Sequence, residues 1–372
     1  MAGIYFHIPF CKTRCIYCDF FSATEVEGGK VDEYVETICQ ELCERKAYLN
    51  GHSVETIYFG GGTPSQLSAA HFEKIFRTLA EINISLTASQ EITLEANPDD
   101  ITPEYLDSLK KLPFNRISLG IQSLNGEELR FLKRRHDAQS ALRAVGLCQE
   151  HGFENISIDL MYGLPNQTIE SWESTIRQAI ALNVQHISAY HLIYEENTPL
   201  FDLVQQGSIQ TVDEELSVAM FETLIDQLTD AGFEHYEISN FAQPGYPSRH
   251  NSAYWNGTPY LGIGASAHSY NGVSRQWNKR VQGAGYRAQG VETEILDEKA
   301  IFNDFIITRL RATKGIDLEE LQHLFGKEKK VHCLQQAEKF LSNQCLEFAN
   351  NHLRLTQKGI FVSDGIMAEL LF

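Results

Sequence analysis

Three cysteines near the start of the chain have the spacing of an iron–sulfur cluster loop. Cys11, Cys15 and Cys18 follow a strand-like segment at residues 4–10. Thiolates separated by three and then two residues can hold a cubane cluster within one tight loop. Because a cubane contains four irons, three protein ligands leave one iron open. The spacing therefore predicts a 4Fe–4S cluster whose open iron can bind a small molecule and pass it an electron.

Two other interpretations of these cysteines remain. They could pack as small apolar side chains, since free cysteine is often buried. They could also bind zinc, but a structural zinc site usually has a fourth Cys or His nearby, and His7 is the one close candidate. The position of the cysteines directly after a strand favours the cluster.

Composition and charge argue against several classes of function. The chain has 372 residues, 43% of them hydrophobic, and a formal net charge of −18. No basic run is longer than residues 133–135, which argues against a nucleic-acid partner. No apolar stretch approaches the ~20 residues of a membrane span, and no secretory signal pattern is present. Eight cysteines in a chain of this length are typical of free thiols in a reducing cytoplasm, where we expect the protein to be.

Strand-like and helical segments alternate through the first half of the chain. The strands are predicted at residues 4–8, 55–60, 91–96, 116–122, 155–161 and 186–193. Alternating strands and helices predict an α/β fold with a parallel sheet. Six such units, rather than eight, predict a partial (β/α)6 barrel that is open on one side.

Polar residues occupy one face of several of these strands. Successive strand residues face opposite sides, so Glu95, Gln122 and Asp159 share a face with other polar residues, while Ile and Leu occupy the opposite face. The apolar faces should meet the outer helices. A barrel filled with branched apolar side chains would not have this pattern. The alternation therefore predicts a polar lumen that contains a ligand.

The pattern changes after about residue 295. Helices are predicted at residues 300–312, 317–325 and 327–343, followed by a hairpin that turns at Asn350 and Asn351. Three helices and a hairpin predict a small winged-helix-like domain. We accordingly divide the chain into a barrel domain, residues 1–290, and a C-terminal domain, residues 295–372. The second domain has no basic face, which favours a structural or docking role.

A glycine run follows the second predicted strand. Residues 60–64 read Gly-Gly-Gly-Thr-Pro, and glycines let the backbone approach a ligand closely. No Gly-Lys-Ser/Thr follows, so the run is not a Walker phosphate loop. Alone it could be a tight turn, but its position beside the cysteine loop predicts a binding segment.

Taken in order, these motifs resemble the anaerobic coproporphyrinogen oxidase family of radical S-adenosylmethionine (SAM) proteins, and within it a branch of heme chaperones. The resemblance covers nearly the whole chain. It depends on residues 5–11 (YFHIPFC), 60–64 (GGGTP), 95–98 (EANP), 120–123 (GIQS) and 159–165 (DLMYGLP). It implies that SAM binds the open iron through its amino and carboxylate groups.

The resemblance also implies individual roles. Cys11, Cys15 and Cys18 would hold the cluster. The SAM site would comprise Tyr5, Tyr17, Gly61, Gly62, Thr63, Glu95, Gln122, Arg134 and Asp159. Lys133 stands where the family pattern has a glycine before the arginine, which leaves the shape of that loop open.

Residues 250–255 read HNxxYW and resemble the heme-binding signature of the chaperone branch. Neutral imidazole is a good axial ligand for heme iron, which suggests His250. Asn251 could orient that ring. Tyr254 and Trp255 offer flat apolar area for a porphyrin. The alternative is a structural turn with its aromatic rings against the barrel rim, and His191 and His268 are rival ligands.

Two features separate the chaperone from the oxidase. The oxidase has a further cysteine where this chain has Phe20, and it has a longer N-terminal extension over its site. We therefore expect a protein that binds heme and transfers it to acceptor hemoproteins such as respiratory enzymes, rather than an enzyme. The alternatives are oxygen-independent coproporphyrinogen III oxidation, another radical-SAM reaction such as methyl transfer, and an inactive barrel used for protein contacts. The oligomeric state stays open.

Overall fold

The computed structural model describes residues 1–24, 29–279 and 290–372. Within these residues the strands of the larger sheet are, in chain order, β1 Ala2–Ile8, β2 Val54–Gly61, β3 Glu91–Ala96, β4 Arg116–Gln122, β5 Ile156–Tyr162, β6 His186–His191, β7 Glu234–Glu237, β8 Asn240–Ala242, β9 Tyr260–Ile263, β10 His268–Tyr270, β11 Ser274–Asn278 and β12 Val291–Ile295. A smaller sheet contains β13 Ile316–Asp317, β14 Leu346–Ala349 and β15 His352–Leu355.

The larger sheet has the order β12-β11-β10-β9-β1-β2-β3-β4-β5-β6-β8-β7. Strands β1 to β6 pair in parallel with one another, and β9 adds to the free edge of β1, also in parallel. Strand β8 pairs antiparallel with β6. In the described residues β12 and β7 do not pair, so the sheet curves without closing. The predicted α/β fold with an open, partial barrel of six parallel strands is confirmed.

Helices alternate with the parallel strands and continue to the end of the chain. In the described residues they are α1 Lys30–Arg45, α2 Ala69–Glu81, α3 Pro103–Leu109, α4 Gly126–Phe131, α5 Ala138–Glu150, α6 Ile169–Ala181, α7 Pro199–Gln205, α8 Glu214–Asp230, α9 Arg249–Trp255, α10 Glu298–Arg311, α11 Leu318–Ser342, α12 Gln357–Ile360 and α13 Ser363–Leu370. Side-chain caps fix where several of them begin. Thr102, Asp137 and Thr168 each accept the backbone N–H three residues later, a contact that contributes about 1 kcal/mol.

The main core lies between the outer face of the sheet and the helices. In β1, Ile4, Phe6 and Ile8 are fully buried on that face, while Tyr5 and His7 point into the lumen. This is the alternation expected of a strand with two different environments. It places a row of polar and aromatic side chains inside the barrel.

The C-terminal segment has a core of its own, built from α10, α11, α13 and the small sheet. Gly326, with φ of 81°, breaks α11 into two helices, at the position where the sequence predicts one helix to end and the next to begin. The hairpin turns at Asn350 and Asn351, with φ of 48° and 65°, as a two-residue turn of this kind requires. The division into residues 1–290 and 295–372 stays a prediction, and residues 280–289 beside its boundary lie outside the described residues.

Among the described helices, none is both long and apolar enough to cross a membrane.

Candidate functional site

A cavity of about 1440 Å³ occupies the lumen and continues to the helices of the C-terminal segment. Its cluster end is lined by the cysteine loop, the glycine run and the ends of β3, β4 and β5. Its far end is lined by residues of α9, β9, β10, β11, α10 and α11. The far-end residues used below are Tyr254, Trp255, Tyr260, Tyr270, Arg275, Phe305, Arg309 and Phe325.

At the cluster end, the loop between β1 and α1 brings its three cysteines to the cavity wall. Cys11, Cys15 and Cys18 all line the cavity and are partly exposed. The Thr63 hydroxyl donates to Cys11 Sγ at 3.4 Å, and Arg134 Nη1 donates to Cys15 Sγ at 3.3 Å. Donors of this kind stabilise thiolates that bind iron.

Burial is the main influence on two of these thiols. It raises the pKa of Cys11 and of Cys18 above the ordinary thiol value. Both thiols therefore stay protonated until a metal centre replaces the protons. In the described residues no three His, Cys, Asp or Glu side chains are gathered around a single-ion position. A cubane differs from a single ion because each thiolate binds a separate iron. The donor set, three soft thiolates in one short loop beside a cavity, fits a cluster.

A buried aspartate fastens the cysteine loop to its neighbours. Asp100 accepts hydrogen bonds from Lys12 Nζ at 2.7 Å, Ser65 Oγ at 2.8 Å and Gln66 Nε2 at 2.6 Å. Arg135 Nη2 lies 3.2 Å from the same carboxylate. The side chain of Asp100 is 4% exposed, so these contacts are screened little by solvent. One carboxylate thus joins the cysteine loop, the segment after the glycine run and the segment after α4.

The glycine run packs against the end of β1 as well as lining the cavity. A Cβ on Gly61, where φ is 106°, would lie 2.5 Å from the His7 ring, and one on Gly62 would lie 2.7 Å from the Pro9 carbonyl carbon. Gly62 N–H donates to the Ile8 carbonyl at 2.8 Å. These glycines are therefore required for the close approach of two loops, whatever else they bind.

Two carboxylates lie deep in the lumen. Glu95 accepts from the Tyr58 hydroxyl at 2.6 Å and from Gly61 N–H at 3.2 Å, and burial raises its pKa to about 7. Burial likewise raises the pKa of Asp159, which accepts from Ser118 Oγ at 3.4 Å. Buried carboxylates with raised pKa values gain from a positively charged ligand.

Arg134 reaches the cavity from the loop after α4. Its Nη2 donates to Asn97 Oδ1 and to the Gly120 carbonyl, both at 2.5 Å. Lys133 has φ of 54°, so the loop keeps the left-handed conformation that a glycine would adopt there. With Lys133 in this conformation, Arg134 lies at the cavity wall.

Gln122 ends β4 in a strained conformation. Its φ is 69°, and the register with β5 shifts between Leu119 and Gln122. Irregularities of this kind often re-aim a side chain at a binding site. Gln122 accordingly faces the cavity.

At the far end, α9 carries the HNxxYW residues. Glu91 holds the first turn of α9, because its carboxylate accepts the backbone N–H groups of Arg249 and His250, both at 2.9 Å. Tyr254 and Trp255 line the cavity, whereas His250 and Asn251 are absent from its lining. His250 is 2% exposed. Its Nδ1 lies 2.8 Å from Thr56 Oγ1, and its Nε2 lies 2.8 Å from the Tyr254 hydroxyl.

Comparison with known proteins agrees with this geometry. The model of the Radical SAM superfamily matches residues 5–179, and that of the HemN C-terminal domain matches residues 296–362. The heme chaperone HemW of Lactococcus lactis subsp. lactis (strain IL1403) is 32% identical over 371 residues, which are 99% of this chain and 96% of the relative. HemW of Escherichia coli (strain K12) is 40% identical over 268 residues, 72% of this chain and 69% of the relative. This chain belongs to the HemW family of radical SAM proteins.

A solved structure shares the fold over almost the whole chain. Coproporphyrinogen III oxidase (HemN) from Escherichia coli, a radical SAM enzyme, superimposes with a TM-score of 0.84 at 24% identity and covers 99% of this chain and 89% of its own. The resemblance predicted from the motifs is confirmed for both the family and the fold. This chain and HemN therefore share one fold.

All of the predicted cluster and SAM residues of this HemW family member line the same cavity. The predicted heme residues divide, with Tyr254 and Trp255 on the cavity wall, His250 behind it and Asn251 away from the lining. The rival ligands His191 and His268 also line the cavity.

Sequence analysis missed several residues that shape the site. They are Thr56, Tyr58 and Asp100. Glu91, Asn97 and Arg116 were predicted on the polar lumen face, but without a role of their own. The alternation that placed Glu95 in the lumen would have placed Thr56 and Tyr58 there too, had it been applied to the second strand. Asp100 gave no such signal, because an acidic residue after a strand is typical of a turn.

Proposed function

We propose that the protein is a cytoplasmic heme chaperone that binds heme in the cavity and transfers it to acceptor hemoproteins such as respiratory enzymes. One observation carries the proposal: a single cavity runs from the cysteine loop to the aromatic far end. Its volume exceeds the roughly 300–1,000 Å³ of an ordinary small-molecule site. The names of the relatives, heme chaperones, support the same function.

We assign the cluster end to a 4Fe–4S cluster held by Cys11, Cys15 and Cys18, with SAM at the open iron. Bound there, the cluster would supply an electron to SAM. The residues around it bind and orient SAM. They are Tyr5, Tyr17, Gly61, Gly62, Thr63, Glu95, Gln122, Arg134 and Asp159. SAM carries a positively charged sulfonium group, so binding it would offset the burial of Glu95 and Asp159.

We assign the far end to heme. A porphyrin is flat and apolar and carries carboxylates at one edge. Trp255 and Phe305 offer rings for its faces. Arg275 and Arg309 offer guanidinium groups for its carboxylates. Both arginines already pair with carboxylates, Asp304 and Glu320, so heme carboxylates would exchange with these partners.

The oxidase remains the alternative, because HemN has the same fold. Phe20, where the oxidase has a cysteine, is 66% exposed at the cavity wall. An open, apolar rim at this position suits the passage of heme to a partner. It suits a radical reaction less well, since such a reaction requires exclusion of water.

The test is a hemin titration of anaerobically reconstituted protein, followed by mixing with apomyoglobin as a surrogate acceptor. We expect a Soret band at one hemin per chain and its conversion to that of holomyoglobin. The same preparation is given coproporphyrinogen III, SAM and a reductant. Formation of protoporphyrinogen would assign the oxidase function, and failure to bind hemin would refute the chaperone.

A further inference from the structure

Two residues of the HNxxYW segment differ in what they can reach. Tyr254 lines the cavity, whereas His250 lies behind it. Both ring nitrogens of His250 are hydrogen bonded, Nδ1 to Thr56 Oγ1 and Nε2 to the Tyr254 hydroxyl. An imidazole with both nitrogens engaged has no position left for iron.

We propose that Tyr254, rather than His250, is the protein ligand to the iron of bound heme, and that His250 holds the phenolate oxygen of Tyr254 from behind. The proposal rests on the proposed function, since it requires heme in the cavity. Phenolate is an established axial ligand of heme iron, as imidazole is. A ligand needs a second group that orients it and supports its charge, and His250 is in hydrogen-bond reach of the phenol.

The position of His250 is fixed from several directions. Its ring stacks on that of Tyr58 with centroids 4.9 Å apart, and its backbone N–H is held by Glu91. The ring of Tyr254 packs edge-on against that of His250, with centroids 5.1 Å apart. For His250 to reach the cavity, Tyr254 would have to move and these contacts would have to break. Tyr254 needs no such movement.

The Thr56 hydroxyl decides where the proton of His250 lies. In the part of the chain that the structure describes, His250 Nδ1 is the partner of this buried hydroxyl. If the Thr56 hydroxyl donates to Nδ1, the proton of His250 lies on Nε2, and Nε2–H donates to the Tyr254 oxygen. The polar hydrogens of Thr56 and His250 then both have acceptors. With the opposite tautomer, the buried Thr56 O–H would lack an acceptor, which costs about 1–3 kcal/mol. The favoured tautomer leaves the phenolic proton of Tyr254 free to leave.

Tyr254 can replace the hydroxide on the heme iron without a base from the protein. Ferric heme enters with hydroxide on iron. The phenolic O–H of Tyr254 gives its proton to that hydroxide, water leaves, and an iron–oxygen bond to Tyr254 replaces the iron–hydroxide bond. No electron is transferred. Nε2–H of His250 donates to the oxygen before and after the step, so His250 stays neutral throughout.

Burial is consistent with these roles. It lowers the pKa of His250 to about 3, together with the charge of Arg116, so the ring is neutral. It raises the pKa of Tyr254 well above the usual phenol value, so the phenol stays protonated until iron supplies a positive charge.

The test compares hemin binding by the full chain with that of Tyr254→Phe, His250→Gln and Tyr246→Phe. Tyr246 is 37% exposed and outside the cavity lining, so its variant controls for loss of a phenol. Each protein is titrated with hemin and examined by resonance Raman spectroscopy. We expect tyrosinate modes and a high-spin ferric signal in the wild type. Tyr254→Phe should lose these modes and weaken binding about a hundredfold, whereas His250→Gln should keep them and bind about tenfold more weakly.

The phenylalanine variant keeps its ring and is expected to fold, which circular dichroism will check. Wild-type spectra and affinity in Tyr254→Phe, or loss of iron ligation in His250→Gln alone, would overturn the assignment. If the wild type binds no hemin at all, the proposed function fails and this proposal with it. If the wild type binds hemin and Tyr254→Phe behaves like it, only the ligand assignment fails.

Discussion

The cluster end and the far end of the cavity are held together by different interactions. At the cluster end, charged and polar groups of neighbouring loops bond to one another, as in the four contacts of Asp100 and those of Arg134. At the far end, aromatic rings such as Trp255 and Phe305 come from segments far apart in the chain. Arg–carboxylate pairs join them there. A polar end with fixed hydrogen bonds suits a ligand that must be oriented. An apolar end closed by exchangeable ion pairs suits a cargo that must leave.

The most direct test of this difference is to remove the cluster and measure whether the far end still binds hemin. Cys15→Ser should abolish the 4Fe–4S cluster and SAM binding, because a cubane held by three thiolates loses one. Hemin affinity should stay unchanged, since the far end shares no residue with the cysteine loop. Iron and sulfide content, EPR and a hemin titration measure these outcomes.

Cys43→Ser is the matched control, because Cys43 is an exposed free thiol outside the cavity lining. It should keep the cluster. If Cys15→Ser keeps its cluster, or if hemin binding is lost along with it, the two ends are not the independent sites described above.

The converse experiment disturbs the far end alone. Glu91→Ala removes the carboxylate that holds the first turn of α9. It leaves the buried N–H of His250 and the partly buried N–H of Arg249 without this acceptor. We expect the free energy of unfolding to fall by about 1–3 kcal/mol, and hemin binding to weaken while cluster content is unchanged. Denaturant titration and hemin titration give the two values.

Glu55→Ala is the comparison variant, since Glu55 pairs with Arg249 of the same helix at 3.2 Å but is partly exposed. An ion pair in that setting contributes about 0–1 kcal/mol. Equal losses for the two variants would show that Glu91 acts only as a surface charge.

The two ends also differ in how far the sequence could predict them. The predicted cluster ligands are close in sequence, and strand alternation placed Glu95 and Asp159, so local rules predict most of the cluster end, although not Asp100. At the far end, Phe305 and Phe325 belong to the C-terminal segment, and only tertiary packing brings them to α9. His250 was expected to face heme, but Glu91 and Thr56 hold it behind Tyr254. A motif specifies residue types, whereas the buried partners of the motif decide which residue reaches the cavity.

The lumen carboxylate Glu95 should make stability depend on pH. Its pKa is about 7 in the folded protein and close to 4.5 when unfolded. Between these values the unfolded chain is ionised while the folded one keeps its proton, so the folded protein loses stability as pH rises from about 4.5 to about 7. Below and above that pH range, Glu95 contributes no further change in stability with pH.

Glu95→Gln should remove this loss of stability with rising pH, which is of the order of 1–3 kcal/mol. Free energies of unfolding for both proteins at several pH values provide the measurement. Addition of SAM should reduce the difference at pH 7, because a bound cation favours the ionised carboxylate. Parallel profiles for wild type and variant would show that Glu95 is not protonated in the folded protein.

The smallest effect concerns the loop that carries Arg134. Lys133 adopts φ of 54°, a left-handed conformation that is strained for any residue with a Cβ. Lys133→Gly should therefore raise the free energy of unfolding, but by no more than about 1 kcal/mol, because glycine also gains freedom in the unfolded chain. Lys110 is the matched control, since it directly follows α3 in a right-handed conformation with φ of −57°. There the same substitution should lower stability by about 0.5–1 kcal/mol. Opposite signs at these two lysines would show that backbone conformation, not loss of a positive charge, determines the outcome.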